Sequence, residues 1–332
     1  LYDVRTKLGR EILNELRRKF GPFMCHTFIN FNTKLREGAS FGQPITEYDP
    51  GSMGYRDFIR LARELISAGG GVWPRTDKDI PLSPEVKKML ELRHSSIDGE
   101  GLIQRILTAD VDLLWNGGVG TYVKASNESQ EAAGDKSNDA VRVNAVQLRA
   151  KVIGEGGNLG LTQKARIEYA LAGGRINTDA IDNSAGVDTS DHEVNLKIFM
   201  QTLRELGVVK TEKTRNKILM EIQDDVCRKV LHNNYTQSLC LSLDLLRCQN
   251  DVDPFADLAD RLVNAGLLDL RGEFLPNRKE LLARDRAHVR PELAILMSYS
   301  KMHLFDALLN SSLPDLEDIH AVSYTHLRAH ET

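Results

Sequence analysis

Two short windows constrain this chain more than anything else in it: KVIGEGGNLG at residues 151–160 and IDNSAGVDTSDHEVN at residues 181–195. Each follows an apolar run of strand length and gathers glycine, asparagine and acidic residues where that run ends. Strand, glycine-rich turn and helix form the repeating unit of doubly wound α/β proteins, whose ligands bind beyond the carboxyl ends of the strands. Glycine at such a place permits positive φ and lets a ligand approach the backbone closely. Asn158 and Asn183 each offer a donor and an acceptor without charge, which suits a ribose hydroxyl or a carboxamide. Glu155, beside the turn, suits a ribose hydroxyl as an acceptor. Glycine and asparagine also dominate plain turns for conformational reasons alone, and that reading stays open for each window taken singly.

The pattern around the windows is alternating. Helical spacing predicts a helix over residues 2–20, a strand over 24–29, an extended Gly/Pro-rich connection over 42–54 and a helix over 57–66, followed by a break at Ser67–Gly71. Ser83 and Pro84 read as the cap and first position of another helix. Further on come a strand at 111–115, a polar loop at 125–139, a strand at 151–154, a helix at 162–171 closed by Gly173 and Gly174, and a strand at 175–181. Ser190 and Glu193 have capping-box spacing, so a helix is predicted over 190–206. His192 falls in its first turn and reads as a surface or packing residue. From Gly207 to Asn310 the pattern is almost wholly helical. The expectation is an α/β core between about residues 110 and 187, built of mostly parallel strands, with a helical region after it.

Composition narrows the classes. A length of 332 residues suggests about two domains, and 41% hydrophobic with 27% charged residues is ordinary globular usage. A net charge of −4 without a basic stripe argues against nucleic acid as a main partner. No apolar run reaches the ~18 residues needed to span a bilayer. Cys25, Cys227, Cys240 and Cys248 show no CxxC spacing, so no metal site is expected and the thiols read as free and buried in a reducing cytoplasm. The start has neither Met nor an apolar leader, and the chain is expected to be truncated. No GxGxxG or GxxxxGK[ST] is present; Gly117-Gly-Val-Gly120 follows a strand but lacks the full spacing of a phosphate cradle. The last residues, 322–332, have no periodicity and read as translated adaptor sequence.

The run from Asp112 to Ile198 resembles the large-subunit, NAD-specific glutamate dehydrogenases of bacteria. The residues that carry the likeness are LLWNGGVGTYVKAS (Leu113 to Ser126), GEGGNLGLTQKARIEYALAGGRINTDAIDNSAGVD (Gly154 to Asp188) and SDHEVN (Ser190 to Asn195). It begins near Gly69 with DIPLSPEV (Asp79 to Val86) and continues through NNYTQ (Asn233 to Gln237) to RPELAILMSYSK (Arg290 to Lys301). The resemblance implies a partial Rossmann-like dinucleotide-binding domain followed by a helical region. It implies NAD as cofactor and oxidative deamination of L-glutamate to 2-oxoglutarate and ammonia. It also implies a cytoplasmic enzyme of amino-acid catabolism, a homo-oligomer at full length, with no membrane or nucleic-acid partner for the dehydrogenase part. By resemblance to the compact hexameric glutamate dehydrogenases, Glu155, Gly156, Gly157 and Asn158 form the turn whose asparagine meets the nicotinamide ribose. Asn183 then lies near nicotinamide and substrate, and Ser190 near the substrate carboxylate.

The same resemblance marks what this sequence lacks. A catalytic lysine is expected in a Lys-Gly-Gly context, which does not occur, and no proton-transfer aspartate is identified. The pyrophosphate turn and the acid that reads the ribose 2′-hydroxyl belong upstream. Lys151, at a strand start, and Lys164, in the first turn of a helix, are the conceivable substitutes. The chain by itself is therefore expected to be inactive.

Residues 1–67 resemble instead the C-terminal end of partitioning ATPases, through YDVRTKLGREILNELRRKFG (Tyr2 to Gly21) and LREGASFGQPITEYDPGSMGYRDFIRLARELI (Leu35 to Ile66). In that family a Pro-Arg-Asn usually precedes the second segment; Asn30-Phe-Asn32 stands there here, and no P-loop accompanies it. The division expected is thus 1–67 partitioning-ATPase-like, 68–206 the end of a glutamate dehydrogenase NAD-binding domain, 207–321 helical, and 322–332 non-native tail. A chimera is the simplest account. The alternatives are a remnant of a DNA-partitioning ATPase and a non-catalytic protein with ordinary turns.

Overall fold

The structure, a computed structural model, describes residues 7–21, 24–30, 32–34, 37, 45–67, 71–284, 287–313 and 316. In chain order the helices are α1 (Lys7–Phe20), α2 (Ile45–Tyr48), α3 (Met53–Ser67), α4 (Pro84–Met89), α5 (Gly99–Leu107), α6 (Gln163–Leu171), α7 (Asp179–Asp182), α8 (Ser184–Glu205), α9 (Glu212–Asn250), α10 (Asp253–Asn264), α11 (Arg278–Ala283) and α12 (Arg290–Leu309). The strands are β1 (Ile80–Pro81), β2 (Ser96–Ile97), β3 (Leu113–Asn116), β4 (Val123–Lys124), β5 (Val143–Asn144) and β6 (Val152–Glu155). The chain divides into two compact units, Leu1–Arg105 with Ala185–Asn233, and Ile106–Ser184 with Asn234–Thr332.

In the first unit, β1 and β2 pair antiparallel, Ile80 opposite Ile97. Ser83 accepts from the Val86 N–H and Pro84 opens α4, as the sequence predicts. The strand predicted at 24–29 does not form. Its N–H groups go to carboxylates of α3 instead: His26 and Thr27 donate to Glu64 at 2.6 and 2.7 Å, and Asn30 donates to the buried Asp57 at 3.0 Å. The Gly/Pro-rich connection also departs from expectation, since Ile45–Tyr48 is helical and α3 already begins at Met53. Ser190 is no cap: α8 starts at Ser184, so Ser190 lies exposed in its second turn. The helix begins earlier because α7 ends at Asp182, with Asn183 as its cap, and α8 follows directly. The start of the predicted first helix, residues 68–70 of the Ser67–Gly71 break, and the tail at 322–332 lie outside the described residues.

In the second unit β3 and β6 run parallel, in register from Leu113 opposite Val152 to Asn116 opposite Glu155. A second parallel pair, β4 and β5, sets Val123 opposite Val143. Helix α6 caps at Thr162, whose hydroxyl accepts from the Ala165 N–H, and packs Ala165 and Tyr169 with Ile153, Leu161 and Val123 into one core. The predicted third strand at 175–181 shrinks to a single parallel bridge, Val152 to Arg175. The Arg175 N–H donates to Lys151 O and its carbonyl accepts from Ile153, and there the ladder stops. Three residues later the Thr178 carbonyl accepts from Ile181 and Asp182, so the backbone is already turning into α7. The polar loop at 125–139 contains two short 3-10 turns. A second core joins Leu241 of α9, Leu262 of α10 and Leu293 and Leu296 of α12. Of the thiols, Cys248 is buried and Cys25 is exposed, against the expectation of burial for all. Among the described residues no helix is long and apolar enough to cross a membrane.

Candidate functional site

The carboxyl ends of β3 and β6 lie side by side, and the turns that leave them interlock. The Asn116 carbonyl accepts from the N–H groups of Gly156 and Gly157 at 2.8 and 3.1 Å. Gly157 sits so close to the neighbouring turn that a Cβ there would lie 2.0 Å from the Gly118 carbonyl oxygen. Gly154 and Gly156 leave room for the Trp115 ring. The glycines therefore serve close approach between two turns. Positive φ, expected of them, is found instead at Leu159, with φ 57°. Its N–H is held by the Asp179 carboxylate at 2.8 Å, while its side chain is exposed.

Glu155 faces inward. Its carboxylate is fully buried and grips Arg166 with two hydrogen bonds, 2.7 Å from Nε and 2.9 Å from Nη2. It also accepts from the Leu161 N–H at 3.1 Å. Burial is the largest influence on this carboxyl and pushes it up, while Arg166 and the Leu161 N–H pull it back. Arg166 is shared with Asp179 at 3.2 Å, and this surrounding charge holds its proton more firmly than usual against the opposing effect of its own burial. Glu155 thus braces the turn from behind, and the exposed face of the turn is made by Gly156, Asn158 and Leu159.

The two asparagines meet. Asn183 Nδ2 donates to the Gly157 carbonyl at 3.0 Å and to Asn158 Oδ1 at 2.6 Å. A carbonyl can only accept, so the Asn183 amide orientation is fixed by Gly157, and Asn158 must then present its oxygen to Asn183. The Asn183 Oδ1 and the Asn158 NH₂ take no part in these bonds, an acceptor group and a donor group on a half-buried and an exposed residue. That pair is complementary to a carboxamide or a hydroxyl. Asp182, next in sequence, anchors the arrangement by accepting from the Glu155 N–H at 2.9 Å and from Asn177 at 2.7 Å. Ser190 belongs to the other compact unit and is exposed.

Neither substitute lysine is free at the strand ends. Lys151 stands at the amino end of β6, paired with Asp112 at 2.7 Å. The Lys164 ammonium lies over the Phe274 ring, 4.7 Å from its centroid. Sequence reasoning overlooked Arg166, Asp179, Asp182 and Trp115. The signal for Arg166 was its place four residues after the Thr162 cap, on the same inward face as Thr162.

A model of the catalytic domain of bacterial NAD-glutamate dehydrogenase matches residues 26–244, and one of the glutamate dehydrogenase C-terminal region matches residues 286–323. The NAD-specific glutamate dehydrogenase of Halomonas elongata is 41% identical over 307 residues, 92% of this chain and 19% of that protein. Its counterpart in Pseudomonas aeruginosa is 48% identical over 255 residues, 76% of this chain and 16% of that protein. A separate similarity links 70 residues, 21% of this chain, to 28% of the chromosome-partitioning ATPase Soj of Treponema pallidum at 40% identity. The chain belongs to the bacterial NAD-glutamate dehydrogenase family. It spans less than a fifth of the length of the two dehydrogenases. The family match reaches back to residue 26, well before the Gly69 where the quoted motifs begin.

Proposed function

We propose that this chain supplies the nicotinamide end of the NAD site of a glutamate dehydrogenase, carried on part of a doubly wound dinucleotide domain. The observation behind this reading is the Asn158–Asn183 pair, which leaves a donor group and an acceptor group uncommitted at the carboxyl ends of two parallel strands. NAD, when bound, supplies the hydride acceptor for oxidation of glutamate to 2-oxoglutarate. The chain's own contribution is positional. Asn158 takes a ribose hydroxyl, Asn183 the carboxamide side, and the Gly156–Gly157 backbone gives close access, with Glu155 and Arg166 holding the turn. The substrate roles of Asn183 and Ser190 rest on the resemblance alone. Residues 68–206 are assigned to the dinucleotide domain, 207–321 to the helical region and 322–332 to a non-native tail. The complete enzyme is proposed to be a cytoplasmic homo-oligomer of amino-acid catabolism.

Positioning without a preorganised cation leaves out what is often the largest catalytic contribution. With Lys151 and Lys164 otherwise engaged, the chain alone is expected to give no NADH from glutamate and NAD. Binding is the more telling measurement. Titration with NAD, followed by NMR, should move the side-chain amide signals of Asn158 and Asn183, and Asn183→Ala should weaken the response at least tenfold. Unmoved amides at millimolar NAD would overturn the site. A glutamate-dependent rate that vanishes in Asn183→Ala would show that the chain holds a complete centre. The Soj similarity favours a second reading for residues 1–67 alone, a partitioning-ATPase-like segment without a nucleotide site of its own.

A further inference from the structure

On the Leu113 and Trp115 face of β3 and β6 lies a cavity of about 600 Å³, whose walls include Gly154, Asn177, Asp182, Ser238 and Arg290. It does not include Asn158 or Asn183. Arg290, the first residue of α12, is half-buried, and its guanidinium meets only neutral groups. Nε donates to Asn177 Oδ1 at 2.8 Å, Nη1 to Ser242 Oγ at 2.9 Å and Nη2 to the Ser238 carbonyl at 3.3 Å, with Ser238 Oγ at 3.5 Å. Among the described residues no carboxylate lies within ion-pair distance of it. Burial pushes this guanidinium below its ordinary value, and Asp182 opposes the shift.

Charges taken out of water are ordinarily matched by an opposite charge at close range. Arg290 has no such match at close range: Asp182, the one carboxylate on this wall, lies beyond ion-pair distance of it, and the other guanidinium, Arg175, is exposed to water. Both Asp182 oxygens already accept, from Asn177 and from the Glu155 N–H. The Arg290 guanidinium is thus left without a close counter-charge in a cavity whose other walls include Leu113, Trp115, Ile153 and Leu245. Arg290 has five N–H donors in a planar fork. Nε and Nη1 each make one of the bonds above, and Nη2 shares its two between the Ser238 carbonyl and a long contact to Ser238 Oγ. A donor on Nη1 is therefore left open, and the weakly held Nη2 can turn to a carboxylate.

We propose that this cavity binds a small monocarboxylate with an apolar body, its carboxylate on Arg290 and its body against Trp115. The assignment does not depend on the NAD reading, because the two sites share no side chain that contacts either ligand. A structural role for Arg290, tying α12 to the Asn177 loop and to α9, uses the same hydrogen bonds but demands no anion.

Trp115 reports on its own cavity. The sequence has two tryptophans, so Trp73→Phe leaves Trp115 as the only indole. In that background, benzoate is titrated by fluorescence against benzamide, its neutral isostere. Benzoate should saturate the signal in the millimolar range or below, and benzamide should bind at least tenfold more weakly. Arg290→Gln should lose at least tenfold in benzoate affinity, while Arg290→Lys, which keeps the charge, should recover part of it; circular dichroism checks that both remain folded. Equal binding of benzoate and benzamide to the Arg290 protein would overturn the proposal without reference to any further variant. So would undiminished benzoate affinity in folded Arg290→Gln, or no saturation at 50 mM benzoate.

Discussion

The turn at 156–160 and the turn at 117–120 leave neighbouring parallel strands at their carboxyl ends and look alike in composition. They are held differently. The first is fastened from three sides: the Asn116 carbonyl takes two of its N–H groups, Asp179 takes that of Leu159, and the buried Glu155 takes that of Leu161. The second presents Gly118 to open space and Val119 at 91% exposure. A glycine in the first turn is required by the atoms against it, whereas Gly118 is required by nothing its own Cβ would meet. Glycine content marks where two turns lie, but only the contacts say which one is a rigid platform.

The largest test of that contrast is Glu155→Ala. It leaves Arg166 buried without its principal partner, and breaking a buried pair costs roughly 3–5 kcal/mol. Asp179 at 3.2 Å from Arg166 softens the loss toward the lower end. Urea unfolding should show a fall of about 3 kcal/mol, and a change below 1 kcal/mol would mean the turn is not braced from behind. Next in size is the pair Gly157→Ala and Gly118→Ala. The first forces a methyl group to within 2.0 Å of a backbone oxygen that no rotamer can move. Overpacking of this kind costs about 1–3 kcal/mol, sometimes more. The second meets nothing and should stay within about 0.5 kcal/mol of the parent. Equal effects would erase the distinction between the turns.

Much of this arrangement could be read from sequence, because it follows from local rules. The Ser83–Pro84 and Thr162 caps, the strands expected at 111–115 and 151–154 and found as β3 and β6, and the helical run after Gly207 all follow from residue type and spacing. The pairing of Asn158 with Asn183 was legible only as two similar windows, since nothing local tells that residues 25 apart will touch. The failures have one cause, partners distant in sequence. Residues 24–29 have the content of a strand, yet Glu64 and Asp57 of α3 take their donors. Residues 175–181 look like a third strand, but the Thr178 carbonyl has been claimed by α7. Ser190 and Glu193 have the spacing of a cap inside a helix already under way. Glu155 looked like a ligand group because its partner, Arg166, sits 11 residues further on and gives no sign at Glu155 itself.

Leu159 sharpens the comparison from the other side. A leucine with φ 57° is strained, and such residues cluster where a side chain has work beyond the fold. Glycine adopts this conformation without that strain. Leu159→Gly should therefore stabilise the chain by about 0.5–1 kcal/mol, net of the added freedom of the unfolded chain. If the exposed leucine side chain touches the nicotinamide end of the cofactor, the same variant should bind NAD less well. Stabilisation with unchanged NAD binding would confine Leu159 to a conformational accident. Destabilisation would mean that its side chain packs on the turn.

The smallest effect concerns Asp182, which joins the fastened turn to the Arg290 cavity by accepting from the Glu155 N–H while lining that cavity. Burial pushes its carboxyl above the ordinary range, and the Asn177 amide and the Glu155 N–H pull it back. A carboxyl that holds its proton more firmly when folded than when unfolded weighs against the fold while ionised at neutral pH. That burden lifts as pH falls toward the ordinary carboxylate value of about 4. Asp182→Asn has no proton to gain. Both proteins share every other titrating group, so the difference between them isolates this one. The parent should gain stability relative to Asp182→Asn between about pH 7 and pH 4.5, with a slope well under the roughly 1.4 kcal/mol per pH unit of one full proton. A slope of opposite sign would mean that the charged carboxylate is favoured by its neighbours, the Asn177 and Glu155 donors and the Arg166 and Arg290 guanidiniums together. If Arg290→Gln then abolished that slope, Arg290 would already be answered by Asp182 from within the chain, and the case for an anionic ligand there would fall with it.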